Sequence, residues 1–132
     1  MKVVFDANVL LSSFLTRSGV AQQVFVRVVA AHQALSSEYI LREVGKALSG
    51  KLKVPAPEVT HFMSYARARM ALIDLPEDAP SIHFEDPKDI PILHLLEVSG
   101  AHYFVTGDKK LLELKKYKQT LILSLREALE LL

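Results

Sequence analysis

The 132-residue sequence contains no cysteine and no tryptophan. The first absence removes disulfides, thiolate metal sites and a cysteine nucleophile in one stroke. No apolar run reaches the roughly 18 residues a membrane-spanning helix needs. The stretch "KVVFD" at 2–6 sets an acid where the apolar core of a signal peptide would continue. Net charge is +1, so no global field steers the chain towards nucleic acid. There is no internal repeat, no low-complexity tract and no G-x-S-x-G elbow. The five histidines (32, 61, 83, 94 and 102) show neither triad nor zinc spacing, and they read as structural or surface residues. A cytoplasmic protein without a membrane partner fits these absences.

What is present is a globular balance, 50% hydrophobic and 23% charged. The length suits one domain, 1–132, burying roughly two thirds of its unfolded surface. Short apolar runs of strand length stand at "VVF" before Asp6, "YFV" before Thr106 and "LIL" at 121–123. A weaker strand candidate is "QALS" at 33–36, and "LIDL" and "SIHF" compete for another within 72–84. Between them lie helical patterns. Residues 20–30 are almost wholly apolar and predict a buried helix. The stripe Ile40, Val44, Ala47, Leu48 predicts a helix over 38–48 with Ser37 as its cap. Apolar periodicity also predicts helices over 58–73 and over 89–99, the latter with Pro91 in its first turn and a stop at Gly100. "KVPAPE" at 53–58 reads as a helix–helix loop, and "SLRE" as a capping box of Ser124 and Glu127 that opens a final helix. Strands alternating with helices define an α/β class: a mainly parallel sheet covered on both faces.

In such sheets ligands bind at the carboxyl ends of the strands. Asp6 ends the first strand, and Asp108 follows "YFVTG" two residues beyond Thr106. Asp89 opens the apolar helix leading into that strand, and Glu43 lies one turn into the helix after the second strand, beside the Ile40/Val44 stripe. Each acid also has an ordinary role open to it. Asp6, Asp89 and Asp108 could cap helices, and Glu43 could be a half-exposed helix acid. Four acids on one sheet edge are costly unless cations neutralise them. An all-oxygen site suits Mg²⁺ or Mn²⁺, whose chemistry on phosphodiesters is to activate water and clamp the attacking and leaving oxygens. The run "KKLLELKKYK" at 109–118, five lysines against one glutamate, is either a solvated helix face or a patch that meets phosphates.

Four segments carry a family resemblance: "VVFDANVLLSS", "SSEYILREV", "DPKDIPIL" at 86–93 and "GAHYFVTGDKKLL" at 100–112. Together they resemble the PIN domain, and most of all the VapC-like toxin ribonucleases of bacterial and archaeal toxin–antitoxin pairs. The resemblance implies a three-layer α/β/α sandwich. It implies a metal-dependent endoribonuclease in which Asp6, Glu43, Asp89 and Asp108 form the acidic quartet that holds Mg²⁺ (or Mn²⁺). Asn8, Thr106 and Asp86 match supporting positions. RNA as substrate, a cognate antitoxin protein and a homodimer follow from the same likeness, with Lys109, Lys110 and Arg17 as backbone-contacting candidates. Departures are modest: Ala7 where Thr is usual, His102 where Asp is frequent, and Lys88 and Ile90 flanking Asp89 where relatives are more acidic. A haloacid-dehalogenase phosphatase would need a general acid–base where Asn8 stands, and a receiver domain would need paired acids after the first strand. The stronger alternative is a catalytically silent RNA- or protein-binding module on the same fold.

Overall fold

The structure is a computed structural model, and it describes residues 1–16, 18–76, 82 and 84–132. The elements in chain order are β1 (Lys2–Phe5), α1 (Ala7–Leu15), α2 (Val20–Ala31), β2 (Gln33–Ser36), α3 (Glu38–Ser49) and α4 (Ala56–Arg69). They continue with β3 (Ala71–Leu72), a 3-10 turn over Pro87–Asp89, α5 (Ile90–Ser99), β4 (Tyr103–Val105) and α6 (Lys109–Leu114). A hairpin of β5 (Lys116–Tyr117) and β6 (Thr120–Leu123) follows, and α7 (Leu125–Leu131) ends the chain.

The strands form one six-stranded sheet in the order β3-β2-β1-β4-β6-β5. Every pairing is parallel except β5 with β6. Consecutive residues Val3, Val4 and Phe5 are all fully buried. Because neighbouring strand residues point to opposite faces, helices must cover both sides of the sheet. The core is continuous from these residues to Phe104 and Val105 of β4 and to Leu35, Leu41, Leu95 and Leu96. Phe5 stacks on Phe25 of α2 at 5.5 Å between ring centroids, which ties that helix to the central strand.

Local signals act as expected at several ends. Ser37 Oγ accepts from the Ile40 N–H at the start of α3, and Ser124 with Glu127 closes the capping box of α7. Gly100 ends α5 in the left-handed region, φ 65°, which a residue without Cβ enters freely.

Elsewhere tertiary pairing overrides periodicity. The helix expected over 58–73 spans Ala56–Arg69, because Ala71 and Leu72 leave it to pair with Leu35 and Ser36 of β2. Of the two runs competing within 72–84, "LIDL" gives its first residue, Leu72, to that pairing. Ile82 and Phe84 carry no strand pairing among the described residues, while Ser81 and His83 lie outside them. The helix over 20–30 is not buried all round: Val20 and Val26 are exposed while Val24, Phe25 and Val28 face the core. The lysine run 109–118 is not one helix face. Lys115 takes φ 62° and ends α6 after six residues, and Lys116 and Tyr117 become an edge strand.

Candidate metal and catalytic site

The strand order runs outward from β1 in one direction and from β4 in the other. The crevice between the carboxyl ends of β1 and β4 is therefore the switch point at which open α/β sheets bind ligands. Asp6 leaves β1 and its N–H donates to Val105 O at 2.9 Å, while Thr106 leaves β4 and its N–H donates to Leu123 O at 3.0 Å. The two strands thus deliver an acid and a hydroxyl to the same edge. Thr106, fully buried, donates its Oγ1 hydrogen to Asp6 Oδ2 at 2.6 Å and accepts from the Asp108 N–H at 3.0 Å. One hydroxyl thereby orients the first carboxylate and positions the residue that bears another.

A cavity of about 220 Å³ opens at this edge, lined by Asp6, Asn8, Asp86, Asp89, Asp108 and Glu43 together with Tyr39, Lys88 and apolar neighbours. All four quartet candidates and all but one of their proposed supports therefore share one space. The exception is Thr106, which acts from beneath through Asp6. Larger cavities elsewhere differ in kind. One of about 420 Å³ between α1, α2 and α4 is lined by Phe14, Phe25, Phe62 and Tyr65 and, among the described residues, by no carboxylate.

Three of the acids do perform the local tasks open to them. Asp6 Oδ1 accepts from the Ala7 N–H at 2.8 Å at the start of α1, and Asp108 Oδ1 accepts from the Lys110 N–H at 2.8 Å at the start of α6. Asp86 accepts from the Lys88 N–H at 3.0 Å and caps the 3-10 turn. Asp89 is different. It precedes α5 but makes no side-chain cap bond. It is only 7% exposed, and its Oδ2 is buried without a hydrogen-bond partner among the described residues. A buried carboxylate oxygen left unpaired is costly and calls for an explanation beyond capping.

The electrostatics agree. Burial pushes the Asp89 carboxyl up to about 6, with the charges of Asp108, Asp86 and Asp6 adding to the rise and Lys110 opposing it. Burial also raises Asp6 above the ordinary carboxylate range. Hydrogen bonds from Thr106 and the Ala7 N–H pull it back, and Asp108 pushes it up again. Like charges are held together here at a cost a bound cation would remove.

Glu43 sits at the rim, beside the buried stripe of Ile40 and Val44 but itself exposed. Its side chain is 45% exposed and lies 3.9 Å from Lys46 in a loose ion pair. Asn8 lines the cavity but is exposed, and its side chain makes no hydrogen bond among the described residues. Lys109 and Lys110 are exposed at the start of α6, with Lys110 3.8 Å from Glu85. Arg17 lies outside the described residues.

Sequence reasoning missed Tyr39. Its hydroxyl donates to Lys88 O at 2.9 Å, linking α3 to the turn that carries Asp89. Burial first, then Glu43, Asp89, Asp86 and Asp6, raises its phenol above the usual range. The available signal was its place four residues before Glu43, one helical turn away on the same face.

Among the described residues no three acidic or imidazole groups converge closely enough to make a finished metal centre. The donors nevertheless fit a hard divalent cation: every candidate is an oxygen, one is buried and unpaired, and burial, with repulsion between carboxylates added to it, raises two of them. Fold and pocket together define a class, a parallel α/β sandwich with a carboxylate-lined crevice at its switch point.

Comparison with known proteins agrees. The sequence profile of the PIN domain matches residues 2–110, which include Asp6, Glu43, Asp89 and Asp108. The chain belongs to the PIN domain family. Among solved structures it is similar in fold to VapBC2 from Rickettsia felis bound to a DNA fragment from their promoter. The TM-score is 0.70 at 11% identity, covering 94% of this chain and 98% of that one. No curated protein matches the sequence.

Proposed function

We propose that the chain is a metal-dependent endoribonuclease acting as the toxin of a toxin–antitoxin pair in the cytoplasm, with residues 1–132 working as one nuclease domain. The observation that carries this reading is Asp89: buried, uncapped, with an unpaired carboxylate oxygen in the cavity that Asp6 and Asp108 also line. Membership of the PIN domain family supports nuclease chemistry. The fold likeness to VapBC2 supports an antitoxin protein as partner, and a homodimer belongs to the same reading.

Asp6, Asp89 and Asp108 would hold Mg²⁺ or Mn²⁺, with Glu43 joining directly or through water. A bound divalent cation supplies a water of lowered pKa and charge stabilisation at the phosphoryl oxygens. The chain's own residues do the rest. Thr106 holds Asp6 in one orientation through its 2.6 Å bond. Asp86 and Tyr39 fix the Pro87–Asp89 turn from either side, through the Lys88 N–H and the Lys88 carbonyl. Glu43, exposed at the rim, would accept a proton from water entering the cavity. Lys109 and Lys110 meet the RNA backbone, which gives affinity with little sequence information. Asn8 presents a free amide to the substrate side of the cavity.

The test is cleavage of a panel of structured RNAs with Mg²⁺, Mn²⁺ or EDTA, beside an Asp6→Asn variant. Metal-dependent cutting that vanishes in the variant supports the reading. No cutting with any metal, and no Mn²⁺ binding by calorimetry, overturns it. That result would favour the silent binding module, a reading to which the open spacing of the acids lends weight.

A further inference from the structure

We propose that the groove between α3 and α4, built around Arg42 and Lys46, is a second backbone-binding track that carries single-stranded RNA past the carboxylate cavity. The proposal rests on the ribonuclease reading and assigns its substrate a path.

Helix α3 serves two surfaces. Tyr39, Ile40 and Glu43 line the carboxylate cavity. Arg42, Gly45 and Lys46 line a groove of about 400 Å³, completed from α4 by Met63 and Arg67. Among the described residues no carboxylate lines this groove. The two surfaces meet where Lys46 Nζ stands 3.9 Å from Glu43 Oε1. At 3.6 residues per turn, Arg42 and Lys46 are neighbours on one side of the helix, just beyond the Glu43 rim.

Its cations are not equivalent. Arg67 is held by Glu38 through both guanidinium nitrogens, so its charge is largely answered. Arg42 makes no ion pair within 4.0 Å among the described residues, and its charge reaches Glu38 only as a lesser influence beside Arg67. Lys46 is 75% exposed and only loosely paired. An exposed pair at that distance is worth little and gives way readily to a phosphate.

Sheet order supplies the physical need. A pocket lined by five acids repels a polyanion unless cations flank it. Asp6 follows β1, which lies between β2 and β4. Helix α6, with Lys109 and Lys110, follows β4, and α3, with Arg42 and Lys46, follows β2. Cations therefore stand on both sides of the acidic crevice, and a strand crossing the cavity meets a basic surface at each end.

Binding tests this apart from cleavage. A fluorescent single-stranded RNA is titrated by anisotropy across a salt series in EDTA, which withholds the divalent cation that water-driven cleavage needs. The proteins are the wild type, an Arg42→Ala/Lys46→Ala variant and a charge-matched Arg27→Ala/Arg126→Ala control on α2 and α7, all checked for folding by circular dichroism. The groove variant should bind at least tenfold more weakly at low salt, and its log–log salt slope should shrink by about 1.4, roughly 0.7 for each phosphate no longer neutralised. The control should change affinity less than about twofold. Unchanged affinity and slope in the groove variant, an equal loss in the control, or no RNA binding by the wild type would each overturn the proposal. So would oligoglutamate occupying the groove without displacing RNA, which would assign it to an acidic protein segment. Groove-dependent binding by a wild type that never cleaves would sustain the track and refute only the nuclease reading.

Discussion

Asp89→Asn keeps the shape of a side chain that is 7% exposed and removes one negative charge from the cavity. In the folded protein this carboxyl titrates at about 6, against an ordinary value of 3.8. Because the folded pKa is the higher one, the proton stabilises the fold. The contribution is complete below the unfolded pKa and is lost as pH rises through the folded one, so the ionised group weakens the metal-free protein above about pH 6. Roughly two units at 1.36 kcal/mol each set a ceiling of about 3 kcal/mol. Water at the cavity mouth screens part of this, leaving about 2 kcal/mol. For a chain of this length that is about 6 °C in melting temperature. Thermal melts in EDTA should therefore show the variant more stable than the wild type near pH 8, with the gap closing near pH 4. Millimolar Mn²⁺ should stabilise the wild type and leave the variant unmoved, and RNA cleavage by the variant should fall to background. A variant less stable than the wild type near pH 8, or a gap indifferent to pH, would refute the claim that Asp89 is held ionised against its surroundings.

Thr106→Val deletes the hydroxyl that bridges Asp6 and the Asp108 N–H. It should cost about 1–3 kcal/mol in urea denaturation, the penalty for stranding buried partners, and weaken Mn²⁺ binding by calorimetry. Tyr39→Phe removes the bond to Lys88 O. It should lower stability by about 1 kcal/mol and reduce Mn²⁺ affinity several-fold, while a variant with unaltered metal binding would show that the turn carrying Asp89 needs no such tie. Gly100→Ala forces a Cβ into φ 65° and should cost about 1–2 kcal/mol in the same denaturation assay, although nothing crowds the position more closely than Gln119 at 3.8 Å.

Much of the scaffold was legible without coordinates because its signals are local. "VVF" and "YFV" are apolar runs of strand length that stop at polar residues, and β1 and β4 are paired side by side and buried. Ser37, Ser124 with Glu127, and Gly100 mark helix ends through bonds and backbone angles that involve only near neighbours. The placing of Asp6 and Asp108 at one sheet edge followed from strand ends alone, and with Glu43 and Asp89 they do share a cavity.

What tertiary structure alone decided depends on residues distant in the chain. The two-residue strand β3 exists because Leu35 and Ser36 offer an edge to Ala71 and Leu72, and periodicity alone reads that segment as more helix. The lysine run divides because Lys115 turns left-handed and Lys116 and Tyr117 pair with β6. Whether an acid near a helix start is a cap or an unpaired buried charge is not written in its neighbours either. Asp86, Asp6 and Asp108 cap, whereas Asp89, in much the same local context, does not. Composition and periodicity determine which segments are buried and where chains turn, since each residue's hydropathy and backbone preference is its own. Which charges are left facing one another is set by sheet order, since only the packing of β2, β1 and β4 brings α3, the Asp89 turn and α6 around one crevice.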